Sequence, residues 1–157
     1  MEEDDNTSSR LPARIIMNSS ILGFAAMAYR GAYNASKFAI EGFSDTLRQE
    51  LHHTHIHVSL IEPGPILSRF RNNALAAFER YIDKDNSVHK QQYEAMLQRL
   101  HKEGAAAPFT LGPEAILERV VHALESKQPK IRYYVTVPTY LFGYLKRVLP
   151  FSLMDRI

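Results

Sequence analysis

Residues 15–37 read IIMNSSILGFAAMAYRGAYNASK, and this stretch decides how the chain folds. With Ala13 and Arg14 it opens a short apolar run (ARIIMN, 13–18), the pattern of a strand buried on both faces of a parallel sheet. Ser19 and Ser20 end the strand, residues 19–31 read as a loop holding Gly23, and a helix is predicted over 32–53. Tyr33 and Lys37 lie four apart on that helix, which puts their Cβ atoms on one face roughly 5–6 Å apart. An ammonium beside a phenol favours the phenolate, which suits a tyrosine to donate and accept protons near neutral pH. A hydroxyl from the strand end, that of Ser20, could hold a substrate oxygen against the phenol. Ala35, Phe38, Ala39, Phe43, Leu47 and Leu51 recur at helical spacing and are expected on the buried side of the helix.

Outward from this unit, residues 56–61 (IHVSLI) predict the next strand, stopped abruptly by Glu62-Pro63-Gly64-Pro65. Strand, helix and strand joined by short connections make a βαβ unit with a right-handed crossover, hence an α/β sheet. Residues 66–108 are helix-prone, with turns at 83–87 and 104–108 and an exposed amphipathic helix over 88–101. Leu111-Gly112-Pro113-Glu114 starts another helix, reaching about residue 125, with Pro near its first turn. Residues 131–137, β-branched and aromatic, predict a last strand, and 138–149 a final apolar helix. Residues 1–12 are charged, Ser-rich and without periodicity, and are expected to be a disordered leader.

The bulk numbers exclude several classes. With 157 residues, 45% apolar and 23% charged, the chain is long enough for one domain with a core. A net charge of +2, without a long basic run, gives no footprint for nucleic acid. There is no cysteine, so disulfides and thiolate chemistry are out. The acidic start is unlike a signal peptide and no apolar run approaches a membrane span, so a cytoplasmic location is expected.

Ser20, Tyr33 and Lys37 stand in the setting N-S-S-x-x-G followed by Y-x-x-x-K, with small residues Gly31, Ala32, Ala35 and Ser36 around the tyrosine. This resembles the active-site segment of the short-chain dehydrogenase/reductase family. The resemblance implies hydride transfer between a nicotinamide cofactor and an alcohol/carbonyl pair. By it Tyr33 is the general acid or base, Lys37 assists the tyrosine and bonds the nicotinamide ribose, and Ser20 orients and polarises the carbonyl. The run Pro63-Gly64-Pro65-Ile66-Leu67-Ser68 resembles the family's second cofactor loop, P-G-x-[IV]-x-T. The implied cofactor-binding set is Tyr33, Lys37, Pro63, Gly64, Ile66 and Ser68, with the Ile66 N–H donated to the carboxamide and Ser68 in place of the usual Thr. NAD(P) is the expected cofactor, NADP slightly ahead.

The implied fold is the C-terminal part of a Rossmann-type doubly wound parallel sheet, its catalytic domain spanning 13–157 and its substrate-loop helices about 66–108. The family's first βαβ half is missing. The seven glycines, at 23, 31, 42, 64, 104, 112 and 143, make no G-x-x-x-G-x-G turn, and the family's N-N-A-G segment and helix Asn have no counterpart. The chain is therefore expected to be a C-terminal half, inactive and aggregation-prone alone. The alternative is a non-catalytic remnant that only dimerises or associates with an intact subunit. E-P-G-P-I with F-T-L-G-P-E-A-I is similar to the bacterial branch near retinol and aldehyde reductases, implying an apolar aldehyde or ketone as substrate. The family's usual four-helix interface implies a homodimer.

Other residues carry competing readings. Ser19 reads as a turn residue. His52, His53, His55 and His57 suggest a metal, yet no acidic or Cys partner completes a set, and helix cap plus strand surface is the preferred account. Phe70, Leu75, Phe78 and Tyr81 either form an apolar lid or pack helices together. The segment Tyr140-Leu141-Phe142-Gly143-Tyr144-Leu145 with Lys146-Arg147 could touch a membrane surface, though docking onto the body is preferred.

Overall fold

The computed structural model describes residues 12–156 apart from 103 and 106, so the expected leader, Pro12 excepted, lies outside the described residues. Three strands form one parallel sheet in the order β1 (Ala13–Asn18), β2 (Ile56–Glu62), β3 (Arg132–Tyr134). Ile15 faces Val58 and Met17 faces Leu60 across the first pair, and Leu60 faces Arg132 across the second. A parallel neighbour must be reached by a crossover, and the 20-residue helix α1 (Gly31–Glu50) supplies it between β1 and β2. α2 (Phe70–Tyr81), α3 (Lys90–His101) and α4 (Glu114–Glu125) lie between β2 and β3. α5 (Val137–Val148) and the short α6 (Phe151–Met154) follow β3. The mixed α/β architecture is the expected partial Rossmann-type sheet.

The core sits where β2 and β3 meet α4. Ile61, Ala123, Tyr133 and Val135 are buried together, with Ile16, Ile66, Ala115, Ile116 and Val120 packed around them. Polar strand residues are satisfied locally: the Ser59 hydroxyl donates to the Lys130 carbonyl at 2.8 Å, and Lys130 N–H donates to the Tyr133 hydroxyl at 2.8 Å.

Two expectations need correction. Of the apolar residues expected on the buried side of α1, Leu47 and Leu51 are partly buried but Ala35, Phe38, Ala39 and Phe43 are exposed, Phe38 by 40% and Phe43 by 58%, while Glu41 and Ser44 are buried. The sheet-facing stripe instead runs Tyr33, Lys37, Ile40, Glu41, Ser44, Leu47, Arg48. The reason is periodicity: once Tyr33 and Lys37 point at the strand ends, residues one and two turns further on must point the same way, and Phe38 and Phe43 are rotated off that face. The last strand is shorter than the predicted 131–137, because Pro138 in the first turn of α5 favours helix and Thr136 already accepts from the Thr139 and Tyr140 N–H groups. The helix at 151–154 had no prediction.

Candidate active site

The turns after β1 and β2 are stitched together at the carboxyl end of the sheet. Ser19 N–H donates to the Ile61 carbonyl and Ile21 N–H to the Pro63 carbonyl, both at 2.8 Å. Between these anchors Ser20 is extended, 8% exposed, and caps the 3-10 turn Ile21–Gly23, its Oγ accepting from Leu22 N–H at 3.2 Å. Gly23 is required by close approach, since a Cβ there would run into the Ser19 hydroxyl and the Glu41 carboxylate. The Ser19 hydroxyl is buried without a hydrogen-bond partner among the described residues.

α1 delivers Tyr33 and Lys37 to this strand end. The Lys37 amine donates to the Asn18 carbonyl at 2.9 Å and lies 5.7 Å from the Tyr33 ring centroid. Partial burial lowers the Lys37 pKa from the ordinary lysine value. The Tyr33 ring meets Phe70 of α2, centroids 5.4 Å apart and tilted by 60°. Lys37 and Tyr33 are thus brought together, with Ser20 two residues beyond the carbonyl that holds the lysine. Among the described residues no hydrogen bond joins the Tyr33 hydroxyl to Ser20 or Lys37.

The Pro63–Ser68 loop leaves β2 at the same end. Leu67 N–H donates to the Leu111 carbonyl at 2.8 Å and Leu111 N–H to the Pro65 carbonyl at 3.2 Å, a parallel bridge centred on Ile66. Both bonds belong to the neighbours of Ile66, which leaves its own N–H on the opposite side from Leu111. Ser68 Oγ accepts from Phe70 N–H at 3.3 Å and so helps start α2. Gly64 has no room for a side chain: a Cβ would fall on the hydroxyls of Thr136 and Thr139, which are buried and 3.0 Å apart. Gly64→Ala is therefore expected to push the loop off α5 and lower stability by about 1–3 kcal/mol, the usual cost of overpacking, readable in a urea denaturation midpoint.

Sequence reasoning missed the charged cluster beneath this surface. Arg132 of β3 reaches Glu41 of α1, Glu62 at the end of β2 (2.7 Å) and Asp45 of α1 (2.8 Å). Glu62 is fully buried, and its pKa is raised to about 8 by that burial and by Glu41, with Arg132 opposing. Burial alone would lower the Arg132 pKa, but its hydrogen bond to Glu41 and the charges of both glutamates raise it. The signal was present as charges of opposite sign at the end of one buried strand (I-E-P-G) and the start of another (R-Y-Y-V).

No group of three or more potential metal ligands exists among the described residues, and His52 and His53 stack edge-on, 4.9 Å apart. No described helix is long and apolar enough to cross a membrane. Phe78 is buried and meets Tyr93 of α3, whereas Tyr81 is 71% exposed.

This arrangement has known counterparts. Residues 6–78 match the family described as short chain dehydrogenase. Over 144 residues the chain is 46% identical to the uncharacterized oxidoreductase YbbO of Escherichia coli K12, covering 92% of this chain and 47% of that protein. The chain belongs to the short-chain dehydrogenase/reductase family. It spans about half the length of the curated family members it matches. The fold agrees with solved family structures: a short chain dehydrogenase from Burkholderia cenocepacia in complex with NADP gives a TM-score of 0.61 at 19% identity, covering 91% of this chain and 46% of that one. One from Burkholderia phymatum in complex with NAD gives 0.57 at 17% identity, covering 88% and 47%.

Proposed function

We propose that this chain carries the catalytic and substrate-facing part of an NAD(P)-dependent oxidoreductase that interconverts an alcohol and an apolar aldehyde or ketone. The observation that carries the reading is the Lys37 amine, held between the Asn18 carbonyl and the Tyr33 ring at the carboxyl ends of parallel strands, where open α/β sheets bind ligands. Tyr33 gives a proton to the carbonyl oxygen during reduction and takes it back during oxidation. Lys37 stabilises the phenolate left behind, and Ser20, freed from Leu22 N–H, donates its hydroxyl to the same oxygen.

The residues present fit the nicotinamide end of a dinucleotide. Lys37 would be available to the ribose, Gly64 keeps the loop backbone bare, and the Ile66 N–H, which points away from its bridge, would be the donor for the carboxamide. When bound, the cofactor supplies or accepts the hydride. Of the similar proteins, one relative is named NADPH-dependent, and solved structures of the same fold are in complex with NADP and with NAD, so the proposed cofactor is NAD(P). The outward face of α1, with Ala35, Phe38, Ala39 and Phe43 exposed, supports a homodimer through that helix.

A second reading, association without catalysis, is favoured by one observation: these 157 residues contain no G-x-x-x-G-x-G turn for the pyrophosphate. A fluorescence titration with NADPH, on this chain and on the protein that carries it, separates the two. Saturable binding at micromolar concentration, with decanal-dependent NADPH oxidation, is expected of the carrying protein. Its complete absence there leaves only association.

A further inference from the structure

The outer edge of β3 carries a cavity that the proposed active site does not use. Among the described residues β3 is an edge strand of the sheet, and a cavity of about 420 Å³ opens beside it. That size falls in the range of small-molecule sites, about 300–1,000 Å³. Tyr133 and Tyr134 both line it, although neighbours on a strand point to opposite faces, so the cavity straddles the edge itself. α4 forms one wall and α5 the other, and none of Ser20, Tyr33, Lys37 and the 63–68 loop takes part.

The side chains around this cavity are rich in donors. Arg119 stands on the α4 wall, Arg147 on the α5 wall and Lys130 just before the strand, all three exposed. Arg132 also lines it but is engaged inward by Glu41, Asp45 and Glu62. The single acid of the lining is Glu118, whose exposed carboxylate lies 3.8 Å from Arg119. Lys130 N–H donates to the Tyr133 hydroxyl at 2.8 Å, so that hydroxyl directs its own hydrogen at His122 Nδ1, also 2.8 Å away. Neutral His122 then carries its hydrogen on Nε2, as a further donor. Leu60 pairs with Arg132 and donates its N–H to the Ile131 carbonyl at 2.9 Å. Arg132, and by the same alternation Tyr134, therefore turn their own N–H and carbonyl groups away from β2, to the free edge. Ring surface completes the lining: Tyr140 and Tyr144, one helical turn apart on α5, are 41% and 62% exposed, and Tyr140 meets Tyr134 edge-on at 5.4 Å.

We infer that this cavity binds a small aromatic phosphate ester, its phosphate held between Arg119 and Arg147 and its ring laid against Tyr140 and Tyr144. A phosphate matches the lining better than a carboxylate does, because it brings up to two charges and three acceptor oxygens to cations that stand on two walls. Guanidinium forks suit those oxygens, and His122 Nε2–H is a neutral donor beside them. The ring of the ligand gains offset or edge-on contact with the tyrosine rings. Glu118 competes with the phosphate for Arg119 and limits the affinity. The inference goes beyond the oxidoreductase reading and does not depend on it.

The test is a binding measurement that needs no turnover. Phenyl phosphate, inorganic phosphate, phenol and benzoate are titrated at low salt into the protein that carries this chain, labelled for amide NMR at arginine and tyrosine. Phenyl phosphate is expected to bind saturably and to shift the amides of Arg132 and Tyr134 while leaving that of Tyr33 in place. It should bind at least about tenfold more tightly than each of the other three, the combined effect of ring contact and charged hydrogen bonds. Arg119→Gln and Arg147→Gln should each weaken it about three- to tenfold, and Glu118→Gln should tighten it. All three positions are exposed, so these variants keep the fold. Tyr144→Ala should bring phenyl phosphate down to the level of inorganic phosphate. No saturable binding, shifts centred on Tyr33, benzoate as the tighter ligand, or affinity unchanged in both arginine variants overturns the inference.

Discussion

Tyr33→Phe is expected to lower kcat for carbonyl reduction by the protein that carries this chain at least about a hundredfold, the low end of what positioned acid–base groups contribute. KM should stay within about threefold, because the ring and its contact with Phe70 survive and only the hydroxyl is lost. A structural tyrosine would behave differently: its loss would move the melting temperature rather than kcat. Lys37→Met separates the lysine's two roles. It removes the donor to the Asn18 carbonyl and the charge beside the Tyr33 ring together, so kcat and cofactor affinity should both fall. Ser20→Ala should cost less stability than its burial suggests, since the only described bond lost is the cap from Leu22 N–H. Activity of Tyr33→Phe within about threefold of the parent would sink the catalytic reading, since no positioned general acid contributes so little.

What was legible in the sequence, and what was not, divides along a physical line. Local signals gave β1, α1 and β2 to within a few residues, because a buried strand, a 3.6-residue period and the E-P-G-P stop are each written in neighbouring positions. Spacing likewise brought Tyr33 and Lys37 onto one face. Orientation was harder. Phe38 and Phe43 looked like the core of α1 because they are apolar, yet the direction of the helix is set by the residues that serve the site, and a partly polar stripe of Lys37, Glu41 and Ser44 is what meets the sheet. The charged cluster was hidden for another reason: Glu41, Glu62 and Arg132 come from three elements up to 91 residues apart, and only the parallel register of β2 and β3 makes them neighbours.

That hidden cluster carries the largest expected effect on stability. Arg132→Met should destabilise the fold by about 3–5 kcal/mol near pH 8, because it leaves buried carboxylates without their counter-charge. Replacing Glu41 and Glu62 by Gln in the same variant should recover part of the loss, since the buried charges disappear with the arginine. Glu62 also makes stability depend on pH. Its folded pKa, about 8, lies above its ordinary value of 4.5, so between those values the native state holds more protons than the unfolded chain. Linkage then fixes the sign: the contribution of Glu62 is fully present below pH 4.5, declines as pH rises, and is lost as pH passes through 8. Glu62→Gln holds the neutral form at every pH. Urea midpoints at mildly acidic and mildly alkaline pH should therefore fall for the parent and fall less for Glu62→Gln, with the variant the more stable at the alkaline end. A parent and variant with parallel pH profiles would mean that Glu62 is ionised throughout and Arg132 holds it fully charged.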